Sequence, residues 1–201
     1  MNPDPLAGGL ADPVLHSQAV FRVLLDALSR PGTGRSLPGL VKPPAPLNPA
    51  AGAVLATLAD ADTPVYLDAP LAAARSVGAW VRFHTGARVV GSPQEAAFAV
   101  IEEPEAMPAL SAFGEGTDAY PDRSTTLILQ VRSFTGANHV FEGPGIEGER
   151  AFGFEPEPPR FREQLAANRD LFPRGVDLIL AAPTAIAALP RSTRIVSKEP
   201  A

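Results

Sequence analysis

The chain has 201 residues, a formal net charge of −5, 45% hydrophobic and 19% charged residues, 23 prolines and 17 glycines. This composition fits one folded α/β domain over residues 1–201 with many short connections, and the acidity argues against a nucleic-acid partner. The absence of cysteine excludes disulfides, thiolate metal sites and thiol nucleophiles, while the lack of a basic leader or a long apolar run predicts a cytoplasmic chain that makes no use of a membrane.

Asp12-Pro13 reads as a cap followed by proline at the first helical position. Val14, Phe21, Leu24, Leu25 and Leu28 then recur at helical spacing, which predicts a helix with that stripe on the core and Ser17, Gln18, Arg22, Asp26 and Ser29 outward. Docking to another subunit is a second use of the same face, and Arg30-Pro31-Gly32 ends the helix. Pro38, Pro43, Pro44, Pro46 and Pro49 deny the next segment regular hydrogen bonding. A short helix over 50–58, a brief strand over 63–67 and a helix over 70–82 with Trp80 on its apolar side follow. Residues 98–101 form a strand, and 106–113 make one or two helical turns.

The near-continuous apolarity of 125–131 predicts a strand covered on both faces. Residues 132–138 then turn the chain so that 139–141 pair back against that strand. A proline-rich spacer at 155–159 leads to a helix over 160–169, with Phe161 and Leu165 on one side. Residues 176–181 form a second buried strand, and Ile186, Leu189, Ile195 and Val196 close a final small unit. The expected fold class is α/β, a mixed sheet flanked by helices.

Fifteen arginines against two lysines leave guanidinium groups as the main anion-binding chemistry. Lys42, in the proline-rich segment, and Lys198, near the C-terminus, suit solvent better than a cofactor imine. His16, His84 and His139 lack zinc spacing, so no metal is expected. His139, near Glu142 and Arg132, offers acid–base chemistry beside an anion-stabilising cation, which makes Arg132 and His139 the catalytic candidates. Gly143-Pro144-Gly145-Ile146 reads as a tight turn, a subunit contact or a phosphate cradle, although Pro144 removes one amide a cradle would use. Asp60, Asp62, Asp68, Asp118 and Asp122 fit turns and caps. Asp177 opens a strand beside Arg174 and needs a partner, a terminal exposed position or water, with structural pairing to an arginine ranked above catalysis. Phe134, Phe141 and Phe152, near predicted turns, are candidate interface anchors.

Several segments together carry a wider pattern: HSQAVFRVLLDALSRPG at 16–32, TLADADTPVYL at 57–67, RFHTGA at 82–87, TLILQVRSF at 126–134, GPGI at 143–146, FPRGVDLIL at 172–180 and LPRSTRI at 189–195. In this order and spacing they resemble the PhnH family, a component of the bacterial carbon–phosphorus lyase core complex, over nearly the whole chain. The resemblance implies a fold like the major domain of pyridoxal-phosphate-dependent transferases without that cofactor. It also implies a homodimer when isolated and a larger assembly with subunits G, I and J, of which I is the direct contact. For that assembly it implies conversion of ATP and an alkylphosphonate to a ribose 1-phosphonate 5-triphosphate with displacement of adenine, so that ATP is a substrate of the complex. Family markers fall on Phe21, Arg22, Leu24, Leu25, Arg82, Phe83, His84, Gly143 and Gly145. Arg22, Arg82, His84, Gly143 and Gly145 are therefore ligand or interface candidates. The expected function is that of a complex component in phosphonate catabolism that is inactive alone; the alternatives are a transferase component with its own phosphate or nucleotide pocket and a dimer that binds a small anionic regulator.

Overall fold

The first helix, α1 (Pro13–Ser29), starts as its sequence predicts, with the Asp12 side chain accepting hydrogen bonds from the amides of Val14 and Leu15. A computed structural model of the chain describes residues 7–39 and 41–196; Lys198 and its expected solvent position lie outside the described residues. The face that α1 buries differs from expectation. Val20, Leu24 and Ala27 are buried against α2 (Pro49–Leu58) and the strand β9 (Ala185–Leu189), whereas Val14, Phe21 and Leu25 are exposed. Apolar residues occur around most of this helix, so periodicity alone permits two stripes, and the compact Val20 and Ala27 let the helix approach the sheet.

The sheet explains that choice. Seven strands lie in the order β1 (Arg35–Ser36), β9, β8 (Asp177–Ala182), β5 (Thr126–Gln130), β4 (Phe98–Ile101), β2 (Val65–Leu67) and β3 (Val89–Val90). The ladder from β3 to β8 is parallel, and β8–β9 and β9–β1 are antiparallel. Alternate side chains of the central strands point to opposite layers. Val100, Ile128 and Ile179 join a core with α1, α2, α3 (Ala69–Ala73) and α4 (Arg75–Thr85), while Ile101, Leu127, Leu129, Leu178 and Leu180 join another on the far face. The expected helix over 70–82 is thus two helices meeting at Ala74. The second runs past the expected end to Gly86, whose positive φ closes it.

The far face is covered by α5 (Phe161–Asp170), by short 3₁₀ turns within 104–112, and by a second sheet of β10 (Arg194–Ile195), β6 (Ser133–Glu142) and β7 (Arg150–Glu155). This corrects the reading of 132–138 as a turn returning to β5. Both sides of β5 are already hydrogen-bonded, to β4 and to β8, so β6 crosses over the sheet and pairs with β7 and β10 instead. The final segment is split likewise, β9 extending the main sheet and β10 the small one.

Asp177 has its arginine, although the partner is Arg191. The Asp177 carboxylate accepts from the Arg191 amide at 2.8 Å and from Nε at 3.1 Å, while the guanidinium also reaches Pro121 O at 2.7 Å and Ser124 Oγ at 2.6 Å. Arg174 instead pairs with Glu115 and Asp118. Because Arg191 ties the start of β8 to the loop before β5, Arg191→Ala should lower unfolding free energy by about 2 kcal/mol by leaving a partly buried carboxylate without its cation. Urea unfolding checks this through a lower midpoint at unchanged slope.

Candidate carboxyl-edge site

Open α/β sheets bind ligands beyond the carboxyl ends of parallel strands, where successive crossovers leave to opposite faces. Here α4 carries the β2-to-β3 crossover on one face, and Met107, Leu110 and Phe113 carry the β4-to-β5 connection on the other. The divergence therefore falls between β2 and β4, at Leu67-Asp68 and Ile101-Glu102.

Asp68 fills that position. It is 6% exposed, and its Oδ2 accepts from the amides of Glu102 at 2.7 Å and Glu103 at 3.0 Å, while Oδ1 accepts from Leu71 at the start of α3. Two amides that could hold a ligand's oxyanion are thus engaged by the chain's own carboxylate. Next to it, the Gln130 side chain accepts from the Asn48 amide at 2.6 Å and donates to Pro46 O at 3.0 Å. Asn48 Nδ2 donates to Ala181 O at 2.9 Å, and Asn48 Oδ1 caps α2 through Ala51. These bonds satisfy backbone groups where the strands end.

Outside this layer lies a cleft of about 430 Å³ with Glu102, Glu103, Glu105, Gln130 and Arg132 in its lining and Pro46, Pro156 and Pro183 as apolar walls. Burial, then the negative charges of Asp68 and Glu103, raise the Glu102 carboxyl above the ordinary carboxylate range. The cleft is acidic, with Arg132 as the single cation among the described residues of its lining.

The structure gives the residues expected to act together different surroundings. Arg132 is exposed at this cleft, its amide bound to Glu155 O at 2.7 Å. His139 is buried in β6, 2.8 Å from Glu157 through Nε2 and packed beside Phe141 and Phe161; its Nδ1 has no hydrogen-bond partner. Glu142, expected beside His139, pairs with Arg194. Arg22 lies on the exposed side of α1 and Arg82 on that of α4. His84 stacks beside Trp80, with ring centroids 4.6 Å apart, and lines a separate cleft with Pro13 and Ser17.

Gly143 and Gly145 form a tight turn, with the Ile146 amide bonded to Gly143 O. Gly145 has φ +82°, and a β-carbon there would fall 2.1 Å from Ser29 O, so the turn needs glycine to meet the end of α1. Phe141 and Phe152 are buried in the far core and Phe134 packs on Phe152, which removes Phe141 and Phe152 as docking anchors. Asp60 serves its turn as expected, accepting from Asp62 and Thr63. Among the described residues, no group of three or more His, Cys, Asp or Glu could hold a metal ion, and no helix is long and apolar enough to cross a membrane.

The sequence marks Asp68 as a cap and carries no sign of its larger part. Asp68-Ala69-Pro70 signals the helix start, but the bonds to amides 34 and 35 residues away have no local signal. Asn48 and Gln130 are likewise joined only by the fold.

The family model for bacterial phosphonate metabolism protein (PhnH) matches residues 8–196. The chain is 44% identical over 190 residues to "Alpha-D-ribose 1-methylphosphonate 5-triphosphate synthase subunit PhnH" of Rhizobium meliloti (strain 1021), covering 94% of each chain. It is 34% identical over 76 residues to "Putative C-P lyase subunit protein HtxG" of Stutzerimonas stutzeri, covering 37% of this chain and 39% of that protein.

Two substitutions examine the carboxyl edge. Asp68→Ala should destabilise the fold by about 2–3 kcal/mol, since it leaves the Glu102 and Glu103 amides without their acceptor and α3 without its cap; urea unfolding measures it. Glu102, with a folded pKa above its unfolded one, contributes stability that is present at low pH and lost as pH rises through the folded value. Glu102→Gln should therefore flatten the decline in stability just above the ordinary carboxylate range, read from urea midpoints at a series of pH values.

Proposed function

The chain belongs to the family of bacterial phosphonate metabolism proteins (PhnH), and from that premise we propose that it works as a non-autonomous subunit of a carbon–phosphorus lyase assembly. In this reading the assembly transfers the ribose triphosphate moiety of ATP to an alkylphosphonate with loss of adenine, in the cytoplasm and in the service of phosphonate catabolism. The isolated chain pairs with itself, and in the assembly it meets subunits G, I and J, with I the direct contact. ATP is a substrate of the whole complex, and no pyridoxal phosphate is required of this chain; the exposed position of Lys42 supports that.

The observation that carries the reading is the carboxylate-filled sheet edge. A triphosphate and a phosphonate are polyanions, and a site that binds and reacts them must offer cations or free amides. This edge commits the Glu102 and Glu103 amides to Asp68 and presents Glu102, Glu103 and Glu105 to the cleft. The groups that hold the substrates are therefore assigned mainly to other chains. Arg132 favours a second reading, in which this subunit contributes one phosphate-binding cation to a shared pocket.

Co-expression with the neighbouring subunits should yield a stoichiometric complex by size-exclusion chromatography with mass determination. Adenine release from ATP and methylphosphonate is expected from the complete system and not from this chain alone; release by the isolated chain would overturn the proposal. Arg132→Ala within the intact complex separates the two readings. Unchanged turnover assigns Arg132 to the surface, and a loss of tenfold or more with assembly preserved assigns it to substrate.

A further inference from the structure

The apolar stripe that α1 leaves in water has a spacing of its own. Val14, Gln18, Phe21 and Leu25 follow one another at intervals of four, three and four residues, and Val14, Phe21 and Leu25 are 65%, 45% and 51% exposed. At 3.6 residues per turn this stripe lies roughly 120° around the helix from the buried Val20, Leu24 and Ala27. Leu28 continues it into the core, where it is partly buried. Alternation of three and four is the spacing with which one helix seats knobs into the holes of another. Leu15, 63% exposed, widens the stripe on one flank.

We propose that this face of α1 is the surface on which a second copy of the chain docks, with the two α1 helices antiparallel across a two-fold axis between residues 18 and 21. The inference rests on the self-association contained in the proposed function and assigns its surface. The spacing is palindromic. Antiparallel pairing sets Val14 of each copy against Leu25 of the other, and Phe21 against Gln18, so that one stripe complements itself as a two-fold interface requires.

Charge favours a second copy in the same register. Two chains of −5 repel, but among the described residues this face presents no carboxylate: Asp12 is engaged in capping α1, and Asp26 is held by Arg30 and Arg35. Arg22, the charge beside the stripe, falls opposite Leu15 of the other copy in the antiparallel arrangement. A parallel pairing would align the two helix dipoles, which is unfavourable.

The cysteine-free sequence makes the test direct. Val14→Cys protein mixed with Leu25→Cys protein should form a disulfide-linked heterodimer on mild oxidation. Val14→Cys protein alone should not, because its two thiols would be on the order of 16 Å apart along the paired helices. Phe21→Glu/Leu25→Glu, at exposed positions, should convert a dimer to a monomer in light-scattering mass measurements while leaving circular dichroism unchanged. A wild-type dimer that keeps its mass in the charged variant and gives no mixed cross-link overturns this surface and leaves self-association intact. Self-linking of Val14→Cys overturns the antiparallel register. A wild-type chain that is monomeric throughout overturns both self-association and this inference, and if the charged variant then also fails to co-elute with the co-expressed subunits, the stripe belongs to a helix of another subunit.

Discussion

Burial of the central parallel strands on both faces is the constraint from which the architecture follows. Side chains of β4, β5 and β8 alternate between two apolar layers, so neither face can be left to solvent. Helices close one side. The other is closed by α5, short 3₁₀ turns and a second sheet of aromatic residues, with Phe154 and Phe161 meeting edge to face at 5.1 Å between ring centroids. The route of β6 follows from it, because a strand leaving a β5 already paired on both sides must cover the sheet rather than extend it.

Covering both faces leaves the strand ends as the sheet's main opening toward a ligand, and there the chain uses its own polar groups. Asp68, Asn48 and Gln130 satisfy amides and carbonyls that would otherwise be unpaired at the carboxyl edge. A bound anion would have to displace a carboxylate already held by three amides. The same groups that stabilise the fold thus set the electrostatic character of the cleft, and the raised Glu102 carboxyl reflects its burial first and the neighbouring acids second.

Legibility in the sequence follows the range of the forces. Residues 98–101, 126–130 and 177–182 were readable because two-sided burial leaves nearly continuous apolar runs, and Asp12-Pro13 was readable because a cap acts within one turn. The second sheet was not. Gly136 and Asn138 give the first half of β6 the composition of a turn, and the strand accommodates them through a register shift between Thr135 and His139. Which side of α1 is buried depends on the layer beneath it, which no window of that helix contains. The site was least legible, since Asp68, Gln130 and Arg191 each act on partners brought near only by the completed topology. Arg132 and His139 are linked in the sequence only by nearness along the chain; the fold places Arg132 at an open cleft and His139 in a buried contact with Glu157.

Both margins of the main sheet are strands of only two residues, Arg35–Ser36 and Val89–Val90. An edge that short gives an incoming chain almost no ladder to extend, and it also removes the template on which sheets fuse into aggregates. Recognition at these margins by β-augmentation is therefore closed to this protein. Partners must read side chains rather than backbone there, so the specificity of those contacts is written in residue identity and changes one substitution at a time.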